Sequence, residues 1–289
     1  MSEPTPLDRA ALEAFPLPAV EASDKDSRGR ILIIAGSREV PGAGLLSATA
    51  AMRAGAGKLK IATVESIAPM LGIAMPEAMV VGLTEHRDGG FALSAASDIA
   101  ELAKSADAIV AGPGMTEGEV CERIAERLIE SRAALVLDAA LLLKLSPLEK
   151  RSIERASLPL LLPHSGEMAA MLDCDEAAVE ADPIGCGLKA AELYRALVLV
   201  KGVTSHIVHP DGRVWVYRGG APGLGVSGSG DTLAGIVGGL LARGADPLTA
   251  LLWAVLLHGE AGAALSKRIG PAGFLAREIP DEIPALLKL

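Results

Sequence analysis

Six short apolar runs, each closed by a glycine or a polar turn and separated from the next by helix-like sequence, restrict this chain to few folds. "RILIIAG" (30–36) is the most telling. It is a continuous β-branched run, and a strand with one wet face would alternate instead, so it fits a strand covered on both faces. "AGLLSATAAMRAGAG" (43–57) follows as an alanine-rich helix able to pack closely, and then "KLKIAT" (58–63) as a second strand. The pattern returns in "DAIVAGPG" (107–114), "ALVLDAAL" (134–141), "LPLLLPH" (158–164) and "ALVLVKG" (196–202). Alternating strands and helices predict an α/β fold, a three-layer αβα sandwich with a mainly parallel central sheet. "SHIVHPDGRVWVY" (205–217) breaks the rhythm: two alternating runs around Pro210-Asp211-Gly212 read as a hairpin. No Pro-, Gly- or Ser-rich linker divides the chain, so one domain is expected over 26–289, after an irregular N-terminal arm over 1–25.

Half of the 289 residues are hydrophobic, enough for a sizeable core. A net charge of −9 and only seven aromatic residues argue against nucleic acid, which calls for a basic face or a stacking platform. Any phosphate must therefore be met locally, by backbone amides, a few lysines or a metal. Cys121, Cys174 and Cys186 are odd in number and lack metal-ligand spacing, so they read as reduced thiols. "MSEPTPLDRAALEAF" has no apolar signal core, and "LTALLWAVLL" (248–257) is too short to span a bilayer and reads as a buried helix. The expectation is a cytoplasmic protein without a membrane partner.

In open α/β sheets, ligands bind beyond the carboxyl ends of the strands. Here those ends carry "GSREVPGAG", "GPGM", "DAAL", "PHSGE" and "KGVTS". Any one of these could be no more than a turn, but together they place glycine and polar groups along one edge. The stretch "GVSGSGDTLAG" (225–235) adds an acid at the mouth of a helix. After Asp231, the residues Leu233, Ile236, Val237, Leu240 and Leu241 form an apolar stripe at helical spacing. Gly235, Gly238 and Gly239 weaken that helix by about 1 kcal/mol each, for which close packing is the expected reason. Gly228, Ser229 and Gly230 thus offer free amides at a helix start, a ready anion site. Asp231 is either a helix-dipole partner or a general base beside bound phosphate; glycine on both sides favours the base.

These residues also carry a resemblance. "GSGD" opening a helix resembles the anion hole and catalytic aspartate of the ribokinase-like superfamily. "GRILIIAGSREVPGAGLLSATAAMRAGAGKLKIAT", "PEAMV", "AGPGM", "PHSGEMAAML", "LVKGVTSHIV", "HGEAGAAL" and the tail "GPAGFLAREIPDEIPALL" occur in the order of the NAD(P)H-hydrate dehydratases. The resemblance implies an ADP-dependent lyase that repairs NADH or NADPH hydrated across the C5=C6 bond of the nicotinamide ring. Hydroxide leaves poorly; phosphorylating the C6 hydroxyl turns it into phosphate, which departs readily.

By the same resemblance, Asp231 deprotonates the C6 hydroxyl while Gly228, Ser229 and Gly230 hold the phosphoryl group. Lys201, Gly202, Val203, Thr204, Ser205 and Gly230 contact the nucleotide, and Ala43, Gly114, His164 and Asp231 line the hydrate pocket. Mg2+ is implied, with Glu167 near it, and ADP or ATP as phosphoryl donor. A homo-oligomer such as a tetramer, and a separate epimerase, are the implied partners. Plainer alternatives stand beside these roles: Lys201 as a surface lysine, His164 as a hydrogen-bonded histidine with Ser165 as N-cap, His258 and Glu260 as structural groups. The chain departs from the family pattern at Ala140, where a second acid is usual after Asp138, at Leu162 and at Ser165. A role for Asp138 is thereby in doubt. The rival reading is a kinase for a vitamin precursor of the same superfamily; a nucleotide sensor without turnover is a third.

Overall fold

The apolar runs pair edge to edge. The computed structural model of the chain describes residues 3–19, 28–147 and 157–287; the expected boundary at 25/26 lies outside the described residues. Its strands are Thr5–Pro6 (β1), Arg30–Ile34 (β2), Lys58–Val64 (β3), Ala78–Leu83 (β4), Ala108–Ala111 (β5), Ala134–Leu137 (β6), Leu160–Leu161 (β7), Leu197–Val200 (β8), Ser205–Val208 (β9) and Val214–Tyr217 (β10). They form one sheet in the order β1-β10-β9-β8-β7-β6-β5-β2-β3-β4. From β2 to β8 every pairing is parallel, and the expected hairpin supplies the antiparallel part, β8 with β9 and β9 with β10.

The helices are Gly42–Arg53 (α1), Ala68–Ala74 (α2), Ala95–Ala103 (α3), Glu119–Ile129 (α4), Ser165–Leu172 (α5), Glu176–Ala181 (α6), Pro183–Tyr194 (α7), Ser229–Ala242 (α8), Pro247–Arg268 (α9) and Ile279–Leu286 (α10). Helix α8 lies against β2, β5 and β6 and is flanked by α1, α9 and α10. With helices on both faces of the sheet, the architecture is the expected sandwich.

Two differences from the sequence reading have clear causes. Helix α8 is not amphipathic: every residue from Thr232 to Ala242 is buried, because the sheet and three helices surround it. Its glycines permit this. A Cβ on Gly235 would stand 2.2 Å from the Ser47 carbonyl oxygen of α1, one on Gly239 2.4 Å from that of Ala51, and one on Gly238 2.3 Å from Val110 on β5. The arm, in turn, is not wholly irregular. Thr5 and Pro6 pair with Trp215 and Val216, Leu7 and Leu12 are buried, and Trp253 Nε1 donates to the Phe15 carbonyl at 2.7 Å. Strand β4 has no counterpart among the six apolar runs; "AMVVGL" does not alternate, although Pro76 marks the turn before it.

The apolar run at 248–257 belongs to a longer helix than it suggested. At 22 residues α9 is long and apolar enough to cross a membrane, but most of it is buried inside the protein. Glu260 on this helix pairs with Arg9, which ties down the arm.

The chain leaves β2 outward to β3 and β4, then returns to β5 on the other side of β2. In open α/β sheets the ligand crevice lies at such a reversal, here flanked by the loops that follow β2 and β5. The two loops meet there, Gly36 donating its amide to the Pro113 carbonyl at 2.8 Å.

Candidate active site

Gly228 stands at φ +88°, a left-handed conformation open to glycine, and turns the chain into α8. No side chain caps the helix. The Ser229 amide donates to the Val226 carbonyl and the Thr232 amide to Gly228. The amides of Gly230 and Asp231 belong to the first turn, whose N–H groups have no carbonyl inside the helix to bond. Together with the helix dipole they make an anion-binding position.

Three side chains hold this turn, two of them from other helices. Ser47 Oγ on α1 donates to the Asp231 carbonyl at 2.9 Å, and Thr232 Oγ1 donates to the Gly228 carbonyl at 3.1 Å. His258 Nε2 lies 3.0 Å from Ser229 Oγ and 3.2 Å from the Ser229 carbonyl oxygen. The Asp231 side chain is partly buried. Burial, with Asp138 and Glu167 nearby and only Lys201 opposing, raises its pKa to about 6. A carboxylate with that pKa is ionised at neutral pH yet basic enough to take a proton from a hydroxyl.

Facing the turn is a buried ion cluster. Lys201, at the end of β8, places Nζ 2.7 Å from Asp138 Oδ1 and 3.7 Å from Glu167 Oε2. A Cβ on Gly230 would lie 3.5 Å from that Nζ and 3.9 Å from Asp138 Oδ2, so the cluster abuts the helix start. Burial opposes charge on Lys201, but Asp138 and Glu167 outweigh it and raise its pKa. Lys201 is therefore a fixed cation, not a surface lysine: its side chain is only 19 % exposed. Asp138 ends β6 beside the left-handed Ala139 at φ +49°, a strained step for a residue with a Cβ. Gly112 on the neighbouring strand end lets its carbonyl approach; a Cβ there would stand 1.8 Å from the Asp138 oxygen.

His164 and Glu167 reach the cluster through α5. His164 is the N-cap in place of the expected Ser165, because its Nδ1 accepts from the amides of Gly166 and Glu167 at 3.1 and 3.3 Å. Glu167 Oε2 accepts in return from the His164 amide at 2.9 Å, completing a capping box. With Nδ1 accepting, the neutral ring carries its proton on Nε2, which lies 3.5 Å from Glu167 Oε1. Ala43 and Gly114 meet at the crevice, where a Cβ on Gly114 would touch the Ala43 Cβ at 2.5 Å. Gly202 and Val203 are exposed, Val203 completely, and Thr204 is half-buried. Ser205 already belongs to β9, opposite Tyr217.

The geometry brings Lys201, Glu167, Gly230 and Asp231 into one cluster, with His164 capping the helix that carries Glu167. Ala43 and Gly114 lie at the crevice, and α1 links the two through Ser47. Asp138, Ser47 and His258 were not assigned roles from the sequence. Asp138 had a signal, an acid at a strand end, but its partner lies 63 residues away. The departures Ala140 and Leu162 are 5 % and 0 % exposed, in the core beside the cluster and not in place of its charged groups. Among the described residues, no group of three or more His, Cys, Asp or Glu side chains could hold a metal by themselves.

Comparison with known proteins gives a consistent picture. The family model for NAD(P)H-hydrate dehydratase matches residues 31–285. The chain is 50 % identical over 279 residues to the ADP-dependent (S)-NAD(P)H-hydrate dehydratase of Xanthomonas campestris, covering 96 % of this chain and 94 % of that protein. It is 33 % identical to the bifunctional NAD(P)H-hydrate repair enzyme of Moorella thermoacetica, matching 94 % of itself but 52 % of that longer protein. A crystal structure of the ADP/ATP-dependent NAD(P)H-hydrate dehydratase of Bacillus subtilis, co-crystallized with ATP and Mg2+, superposes with a TM-score of 0.87 at 28 % identity. That match covers 100 % of this chain and 99 % of the other.

Proposed function

This chain belongs to the NAD(P)H-hydrate dehydratase family, and we propose that it returns the S form of NADH hydrate and NADPH hydrate to the reduced nucleotide at the expense of ADP. The observation that carries the reading is the start of α8. An uncapped turn with free amides, a carboxylate of pKa about 6 and the ammonium of Lys201 converge there.

In this reading Asp231 takes the proton of the C6 hydroxyl as its oxygen attacks the terminal phosphorus of ADP. AMP leaves, with the amides of Gly230 and Asp231 and the Lys201 ammonium meeting the charge on the transferring group. The C6–O bond then breaks, its electron pair leaving with phosphate, and water takes the proton from C5, whose C–H pair re-forms the C5=C6 bond. Lys201 lies between Asp138 and Glu167, held where the phosphates arrive. Val203 offers an exposed apolar surface to the base, and Gly202 to Ser205 a polar backbone to the sugar and phosphates. Ala43 and Gly114 shape the crevice for the nicotinamide ring, and His164 Nε2 donates to it.

Three carboxylates face one ammonium here, an excess of negative charge where a polyanion must bind. That donor set fits Mg2+, which Glu167 and Asp138 would help to hold and which would offset charge between the phosphates and the protein. A homo-oligomer, a cytoplasmic location and a separate epimerase for the R form complete the reading; size-exclusion chromatography with light scattering tests the first.

The experiment is a turnover assay with purified protein, Mg2+ and NADH hydrate, following return of the reduced-nicotinamide absorbance with ADP and with ATP. Nucleotide-dependent recovery, faster with ADP, is expected. No recovery with either nucleotide overturns the reading, and stable phosphorylation of a hydroxymethyl vitamin precursor would put a kinase in its place.

A further inference from the structure

Helix α9 carries one imidazole on an otherwise apolar stretch, and its position relative to the glycine-rich turn gives it a task. His258 is partly buried. Its Nε2 lies 3.0 Å from the Oγ and 3.2 Å from the carbonyl oxygen of Ser229, the first residue of α8. Ser229 itself is buried with its hydroxyl in reach of the imidazole, so it acts as a handle on the turn.

The turn needs such a handle. "GVSGSG" has little conformational preference of its own, and an uncapped first turn frays. Three features of it are held by side chains: the Gly228 carbonyl by Thr232, Ser229 by His258, and the Asp231 carbonyl by Ser47. In a planar trans peptide a carbonyl and the amide that follows it point opposite ways, so the Ser229 carbonyl held by His258 aims the Gly230 amide to the other side. Thr232 belongs to the turn's own helix and Ser47 to α1; His258 ties the turn to α9.

We propose that His258 is a positioning residue for the phosphoryl-binding turn, acting through Ser229 by donating the proton on Nε2. The proposal rests on the reading above, that this turn receives the phosphoryl group. Burial, with the charge of Lys201 adding to it, lowers the pKa of His258 to about 4, so the ring is neutral at working pH and puts no competing charge behind the site.

The test compares His258→Phe, which keeps the ring and loses the donor, with His258→Gln, whose amide nitrogen reaches about as far as Nε2. The Phe variant is expected to melt as the parent does, to lose about 10–100-fold in kcat, and to bind ADP about tenfold more weakly by calorimetry without hydrate present. The Gln variant is expected to recover most of both. Parental kcat and ADP affinity in the Phe variant overturn the proposal, and so does a Gln variant no better than Phe. If Phe does not fold, His258→Asn, too short to reach Ser229, takes its place against Gln, and equal behaviour of the two overturns it. The ADP titration separates this proposal from the reaction assignment: should the parent bind ADP but turn over no hydrate, the assignment fails while weaker ADP binding in the Phe variant still supports the role of His258.

Discussion

Helices α8 and α9 follow one another, pack together and each begin beside an aspartate, yet their first turns are built in opposite ways. At α9, Asp246 is the N-cap, its Oδ1 accepting from the amides of Leu248 and Thr249 at 3.1 Å each, and Pro247 has no amide to satisfy. That end is sealed. At α8 the aspartate lies within the first turn, no side chain accepts from the first amides, and a left-handed glycine leads in. That end is open. An unsealed helix start next to a buried carboxylate weakens a fold, so its presence marks the place where a ligand completes the hydrogen bonding.

The sharpest break of this comparison is Asp231→Asn. Loss of the base should lower kcat by about 10²–10⁴-fold, with the circular dichroism spectrum unchanged. Stability should move the other way. The folded pKa of about 6 lies above the ordinary 3.8, so the protonated form is favoured by folding. The stability this provides is present below about pH 4 and lost as pH rises through about 6. At pH 7 the charged carboxylate therefore opposes folding, and the Asn variant should gain on the order of 1–3 kcal/mol in urea unfolding. Near-parental turnover, or a loss of stability, would make Asp231 a structural residue like Asp246.

Glycines within α8 divide along the same line. Gly235→Ala would press a methyl into the Ser47 carbonyl at 2.2 Å and should destabilise by about 2 kcal/mol or more despite the better helix propensity of alanine. Gly230→Ala meets only ordinary contacts at 3.5 and 3.9 Å, so the fold tolerates it. Its methyl would intrude on the phosphate position proposed above, and ADP affinity should fall by about tenfold while the melting temperature holds. Equal destabilisation by the two would show that Gly230 serves packing alone.

The same contrast predicts the pH profile. A base with a pKa of about 6 works only when deprotonated, so kcat/KM should be level above it and fall about tenfold for each unit below. A profile with no limb near pH 6 would remove Asp231 from proton transfer. Asp246 is well paired and exposed, and its replacement should leave this limb where it is.

Much of this was legible in the sequence because it is local. Strands buried on both faces announce themselves as β-branched runs, and "GSGD" reads as an open helix start. What was not legible is what depends on residues far apart in the chain. Lys201 finds Asp138 across 63 positions and His258 finds Ser229 across 29; no periodicity encodes either pair. The stripe expected on α8 failed for the same reason, since burial on its far side comes from α1, α9 and α10. His164 displaced Ser165 as a cap because an imidazole nitrogen accepts as well as a hydroxyl does, a substitution that cap preferences do not weigh. Gly230 shows the limit from the other direction. The sequence marks it as a turn glycine, and only the 3.5 Å of clear space to Lys201 shows that the fold itself does not require it.

The smallest effect belongs to the sealed end. Asp246→Ala leaves the amides of Leu248 and Thr249 without their acceptor, which should cost about 1 kcal/mol in urea unfolding. Asp246→Asn keeps an oxygen in place and should cost little. Neither touches the ion cluster, so kcat and ADP affinity should stay parental in both. The two aspartates would then respond with opposite signs: replacing Asp231 stabilises and inactivates, replacing Asp246 destabilises and leaves activity intact. If Asp246→Ala also lost turnover in proportion to Asp231→Asn, the two helix starts would be coupled through the α8–α9 contact, and the division of labour between a sealed end and an open one would not hold.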